Sequence, residues 1–471
     1  MLKPIEMRQA PKIRPLINIG SLMDVITGFY VKGVHNENIL VGGLGQITGL
    51  VGIGNSFKST ILHYMMLSAA DKISYATDTA MITYDTESNM QSDRLQTMLD
   101  RFDHISEKDP LNNGGWVVTD KSTYHGEVWY DELKKYLKEK TKDSKDHTYR
   151  TPFSDRDNEE ISIMTPTFTE IDSLSEFETS DVYKIQDENM LGESGANMLY
   201  ARAALAKNRL LGELPHLASS SSNYFLMTAH LGSEMALAGS QYQAQPLKKL
   251  QHIGVGKKVK GVSDKLYFLT SNFWMAVDAK PYMNQGTKSP EYPKDSTETT
   301  DQGNVDLNIV TLKLLRTKTG RSGSSIELLV SQSEGVLPTL SEFHYIKSQD
   351  RFGMIGNVQN YGIVLYPDAK LSRTTIRTKI DADSKLRRAI NITSELCQLH
   401  QYHRGSMSDI LCTPEQLYED ITKKGYSWDM ILGETRGWWT LNNDQGDLKF
   451  LSTKDLLEMR LGLYEPFWFK T

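Results

Sequence analysis

The stretch Gly49-Leu-Val-Gly-Ile-Gly-Asn-Ser-Phe-Lys-Ser-Thr60 constrains this chain more than any other. An apolar strand runs into a glycine-rich turn and then into an apolar helix over 58–70. The phosphate-loop pattern G-x-x-x-x-G-K-[S/T] needs small residues, so that backbone N–H groups curl around a phosphate. It also needs a Lys that reaches the outer phosphates and a hydroxyl for Mg²⁺. Gly52, Lys58 and Ser59 fill these roles, Gly54, Asn55, Ser56, Phe57 and Thr60 line the same turn, and the helix aims its N-terminal dipole at the same anion. Phe57 stands where the pattern has its second Gly. An aromatic residue is tolerable there only with right-handed backbone angles, because a positive φ would strain it. The plain alternative is a Gly-rich turn with a surface Lys.

The chain has 471 residues, enough for two to four domains and a sizeable core. Its 39% hydrophobic and 24% charged residues are those of a soluble globular protein, and a net charge of −6 excludes a wholly basic nucleic-acid coat while leaving room for local basic patches. Two cysteines exclude a disulfide framework. No 18-residue apolar run and no signal-peptide core occur, so the expectation is a cytoplasmic protein without membrane contact.

Residues 1–20, with Lys3, Arg8, Lys12, Arg14 and several prolines, read as an arm between protomers or a disordered tail. A strand over 79–84 ends in Asp85-Thr-Glu87, where open α/β sheets place their sites. A helix over 92–101, a strand over 115–118 and a helix over 130–141 continue an alternation that implies an α/β fold with a mostly parallel central sheet. The charged segment 142–160 reads as a solvent-facing insertion. The strand over 167–172 ends in Asp172 and is less apolar than a fully buried parallel strand should be. A helix over 195–217 and a strand over 223–230 follow, the latter ending in His230.

Between 232 and 261 lies a Gly-, Gln- and Lys-rich loop in which Lys248, Lys249, Lys257, Lys258 and Lys260 suit phosphate contacts to single-stranded DNA. A strand is expected over 265–269 and another over 307–315, leading into Arg316-Thr-Lys-Thr-Gly-Arg-Ser-Gly323 with a hairpin partner over 326–330. The core spans 21–345. From 350 to 471 the pattern becomes mostly helical, and a hairpin over 437–450 between helices points to a winged-helix-like C-terminal module.

Together Lys58 and Ser59 for phosphate and metal, Glu87 to polarise a water, Asp172 for Mg²⁺ through water and His230 to sense the γ-phosphate form an ATP-hydrolysing constellation. Gly43-Leu-Gly-Gln-Ile-Thr-Gly-Leu-Val-Gly-Ile-Gly-Asn-Ser-Phe-Lys-Ser59 resembles the entry strand and phosphate loop of the RecA-like recombinases, most closely their phage UvsX branch, over roughly 20–345. There the same Ser-Phe-Lys-Ser occurs. Tyr84-Asp-Thr-Glu87 is similar to the strand bearing the family's catalytic base, Ile171-Asp-Ser-Leu174 to its Walker B strand, and Ala229-His230 to its strand-end sensor. Leu315-Arg-Thr-Lys318 resembles the pair, here Arg316 and Lys318, that reaches the neighbouring protomer's γ-phosphate.

The resemblance implies a RecA-like ATPase core with ATP and Mg²⁺ between protomers of a homo-oligomer. The activity would be DNA-dependent ATP hydrolysis in homologous pairing and strand exchange. It places DNA-binding loops at 176–194, which is acidic and departs from that role, and at 235–260. It puts Arg94 where the family stacks a Tyr on adenine. A hexameric helicase motor shares these parts and is expected to carry a helical domain of about 150 residues before the phosphate loop, which weighs against that reading. A non-catalytic scaffold of the same fold is the third reading. Cys397, His400, His403 and Cys412 have zinc-like residue types, but helical spacing spreads the first three over different faces, so zinc is not expected.

Overall fold

The structure, a computed structural model, describes residues 14–155, 157–188, 197–233, 250–254, 257–357 and 359–469. Its strands in chain order are β1 (Phe29–Lys32), β2 (Asn38–Val41), β3 (Ile47–Gly52), β4 (Ala80–Asp85), β5 (Trp116–Asp120), β6 (Thr148–Ser154) and β7 (Glu160–Met164). Then come β8 (Thr167–Asp172), β9 (Asn223–Ser233), β10 (Lys257–Val259), β11 (Asn272–Pro281), β12 (Leu307–Thr317), β13 (Ser325–Ser331) and β14 (Gly335–Val336), and beyond them Met354–Gly356, Tyr361–Ile363 and Tyr366–Leu371 form a separate three-stranded antiparallel sheet. The protein is α/β, built on a ten-stranded sheet in the order β14-β13-β12-β11-β3-β9-β8-β4-β5, with β10 added to β9. From β11 to β5 neighbouring strands are parallel, and β12 to β14 extend one side antiparallel.

Period-two alternation divides the side chains between two helical layers. Leu50, Met81, Phe168 and Leu226 point to one apolar cluster with Ile61, Met65 and Leu95 of helices Lys58–Ser74 and Ser92–Leu99. Their neighbours Val51, Ile82, Ile171 and Phe225 point to the other, with Trp129 and Leu133 of Gly126–Lys142 and Leu211 and Leu214 of Asn197–Ser221. Helix Lys58–Ser74 is buried along nearly its whole length, and Trp439, Leu441 and Phe450 belong to the same apolar cluster. Its polar residues His63 and Ser68 are buried with the apolar ones, so it shows no single apolar stripe.

β8 is buried at every position despite Thr167, Thr169, Glu170 and Asp172. Each polar group has a partner: Lys140 Nζ donates to Thr167 Oγ1 at 2.7 Å, Thr169 Oγ1 to Asn223 Oδ1 at 3.0 Å, and His63 Nδ1 lies 2.8 Å from Glu170. Several expectations are corrected. Segment 265–269 is a helical turn (Lys265–Leu269), because five apolar-rich residues carry no period that separates strand from helix. The insertion 142–160 is not purely solvent-facing: β6 pairs antiparallel with β7, and Thr151 and Phe153 are buried. Of the 1–20 arm, residues 1–13 lie outside the described ones, while Leu16, Ile17 and Ile19 are core residues.

The stretch 437–450 forms no hairpin. Thr435–Arg436 pairs in parallel with Lys449–Phe450, so the wing expected of a winged-helix-like module is not formed. The C-terminal helices share an apolar cluster with the N-terminal part of the chain, in which Leu386, Leu396 and Leu456 meet Val25, Leu40 and Phe343. No helix among the described residues is long and apolar enough to cross a membrane.

Candidate nucleotide site at the strand ends

Register brings the expected residues to one edge. Gly52 of β3 lies opposite His230 of β9, and Asp85 of β4 lies opposite Asp172 of β8. Asp85, Asp172, Thr228 and His230 also share a sheet face with Thr83, Glu170 and Leu226, the face covered by helix Lys58–Ser74. That helix begins at the end of the phosphate loop.

Within the loop, Asn55 and Phe57 have φ of 57° and 59°. The requirement for right-handed angles at Phe57 is therefore overturned: Phe57 is left-handed, at ψ 23°, as the helix's N-cap. The side chain offsets that strain by packing against the core beneath the loop. Gly52 is pinned for space, since a Cβ there would come within 2.4 Å of Ser56 Oγ, whereas one at Gly54 would meet nothing within 4 Å. Ser56 Oγ and Lys58 Nζ both donate to the Ile53 carbonyl, at 2.7 and 2.8 Å. Burial lowers the Lys58 pKa, with Asp172 and Glu87 opposing. A buried ammonium whose nearby carboxylates do not fully offset its desolvation, at the mouth of a turn with open space above Gly54, fits a polyphosphate anion.

Glu87 is held from two sides. His230 Nε2 is 3.1 Å from its Oε1, and Asn89 Nδ2 donates to its Oε2 at 3.2 Å. Asp85 builds the turn beneath, its carboxylate accepting from the backbone N–H of Glu87, Asn89 and Met90 at 2.9, 2.7 and 2.8 Å. Thr228 Oγ1 donates to Asp172 Oδ1. The roles of Asp85, Asn89 and Thr228 escaped the sequence reading. The available signals were an Asp two residues before Glu87, which favours an Asx turn, and a Thr two residues before His230 on the same strand face. Arg94 NH2 donates to Thr60 Oγ1 at 2.9 Å, so Arg94 borders the loop.

Compared with protein-family models and with curated proteins, the chain matches none.

Arg316 and Lys318 do not join this strand-end site. Arg316 pairs with Phe273, which lies level with Gly49, three residues before the Gly52–Ala276 level, or roughly 10 Å back along the sheet. Its guanidinium donates to the Tyr267 carbonyl and lies 5.4 Å from the Phe268 ring, while Lys318 Nζ donates to Leu269 O at 3.3 Å. Lys257, Lys258 and Lys260 are exposed on and just after β10, which pairs antiparallel with Leu231–Ser233, the continuation of the His230 strand. Lys248 and Lys249 lie outside the described residues, as does 189–194 of the acidic loop. The zinc-type residues point elsewhere: His400 Nε2 is 2.9 Å from the Cys412 carbonyl and His403 Nε2 is 3.2 Å from that of Val25. Among the described residues no three metal-ligating side chains cluster.

Proposed function

We propose that this chain is a RecA-like, DNA-dependent ATPase whose protomers assemble on single-stranded DNA, as a cytoplasmic recombinase of the phage type does. The observation that carries the reading is the convergence of Lys58, Asp172 and the Glu87–His230 pair at the carboxyl ends of adjacent parallel strands. Ligands of open α/β sheets bind at such strand ends.

In this reading the loop N–H groups and Lys58 hold the β- and γ-phosphates, with Thr60 and Arg94 beside them. Glu87 takes the proton of the attacking water as the new O–P bond forms and the bridging P–O bond to ADP breaks. Ser59 and, across a water, Asp172 would hold Mg²⁺, which supplies charge neutralisation on the phosphates. Thr228 keeps the Asp172 carboxylate oriented. Since Arg316 and Lys318 are directed away from their own loop, they serve a neighbour's γ-phosphate, which requires an oligomer.

Electron microscopy of the protein with single-stranded DNA and a non-hydrolysable ATP analogue tests this. Open helical filaments are expected. Closed rings would favour the helicase motor, and absence of any assembly the non-catalytic scaffold.

A further inference from the structure

The return strand of the basic loop is tied to the Glu87–His230 pair through one hydroxyl. Ser175 Oγ accepts from the His230 main-chain N–H at 2.9 Å and donates to the Lys260 carbonyl at 3.0 Å. Lys260 N–H in turn donates to the His230 carbonyl at 2.8 Å. The Ser175 backbone is itself anchored, since the ammonium of the buried Lys207 donates to its carbonyl. Over the same junction the Lys260 methylenes fill the space that a side chain at Gly232 would need: a Cβ there would lie 2.2 Å from Lys260 Cε. One residue three positions after Asp172 therefore touches both the strand that carries His230 and the strand that carries the exposed lysines.

We infer that Ser175 is a positioning residue that transmits occupancy of Lys257, Lys258 and Lys260 by a polyanion to the imidazole of His230, and thereby to Glu87. This rests on the nucleic-acid reading of those lysines given above. The physical reason is the double role of the hydroxyl. A displacement of the Lys260 carbonyl when phosphates draw on its strand changes the bond that Ser175 makes to His230 N–H. The imidazole of the same residue contacts the carboxylate of Glu87. Without the hydroxyl, the two strands still pair at Lys260 N–H, but the link to the Asp172 strand end is gone.

The test is proton–carbon spectroscopy of the full chain with ¹³Cε1-labelled histidine, the His230 resonance being assigned by His230→Gln. Oligothymidylate is added to saturation for each variant, and thermal unfolding checks that each is folded. In the wild type the His230 resonance is expected to shift on binding. In Ser175→Ala the shift is lost although the oligonucleotide binds, and in Ser175→Thr, which keeps the hydroxyl, it returns. An equal shift in Ser175→Ala, or binding to the wild type with no shift, overturns the relay and leaves the nucleic-acid reading standing. Failure of the wild type to bind oligothymidylate refutes that reading and the relay with it.

Discussion

At the scale of single residues, Lys58 and Phe57 separate what the phosphate-loop pattern encodes from what it hides. Lys58 stands out in the sequence because the phosphate-loop pattern asks for a cation at a fixed offset from Gly52. Its burial and its bond to the Ile53 carbonyl depend on the loop's actual path. Lys58→Ala is expected to lower ATP turnover by about 10²- to 10³-fold, the scale for removing one preorganised donor, with circular dichroism unchanged. Phe57 was misjudged because steric rules treat its backbone alone. A left-handed non-glycine residue costs about 1 kcal/mol, so Phe57→Gly taken in isolation should stabilise. Against that stand removal of a partly buried aromatic ring, worth about 1 kcal/mol, and the extra freedom of Gly in the unfolded chain, a further 0.5–1 kcal/mol or so. The net expectation is a loss of about 1 kcal/mol, read from the urea midpoint, and a gain would show that the packing of Phe57 counts for little.

At the scale of elements, the parallel strands were legible through their alternation and through the chemistry at their ends. The β6–β7 hairpin and the turn Lys265–Leu269 were not, because polar or very short segments take their conformation from what they pack against. β8 lies between these cases. Its polar residues argued against burial until their partners on neighbouring elements were known. Burial pulls the His63 imidazole down, yet the Glu170 carboxylate beside it outweighs that and leaves the pKa raised, while burial raises the Glu170 pKa against the pull of His63; the contact between them joins helix Lys58–Ser74 to β8. Thr83 Oγ1, which accepts from Trp116 Nε1 at 2.9 Å, donates to the same carboxylate.

His63→Ala strands a buried carboxylate and should cost about 3 kcal/mol or more in chemical denaturation, whereas the double change with Glu170→Leu should recover much of it. The β9–β10 pair carries a different expectation. Replacing Lys257, Lys258 and Lys260 by Ala should weaken oligothymidylate binding. The slope of log affinity against log salt should fall by about 2, or roughly 0.7 for each phosphate that is no longer neutralised. An unchanged slope would remove these lysines from the interface.

At the scale of the whole molecule, the change of composition near 350 was plain in the sequence, but the way the C-terminal helices are joined to the rest was not. It depends on buried polar groups scattered along the chain. Ser21 Oγ and Asn391 Nδ2 both donate to Glu342 Oε1, while Arg388 NH2 donates to the Leu451 carbonyl and Asn38 to the Asp455 carboxylate. These bonds connect helices Ser21–Thr27, Pro338–Ser348 and Ser384–Gln398 to one another and β2 to helix Thr453–Leu461. Burial raises the Glu342 pKa from 4.5 to about 7, with Ser21 and Asn391 opposing and Glu395 adding to the rise. The folded chain thus keeps a proton that the unfolded chain releases above pH 4.5. The stability this gives is fully present below pH 4.5 and is lost as pH rises to about 7, a span worth about 3 kcal/mol. Glu342→Gln preserves an acceptor for Ser21 and Asn391 and cannot ionise. It should match the wild type in guanidinium unfolding near pH 4.5 and exceed it by up to about 3 kcal/mol at pH 8. Parallel pH profiles for the two proteins would mean that Glu342 does not govern how firmly the C-terminal helices are held.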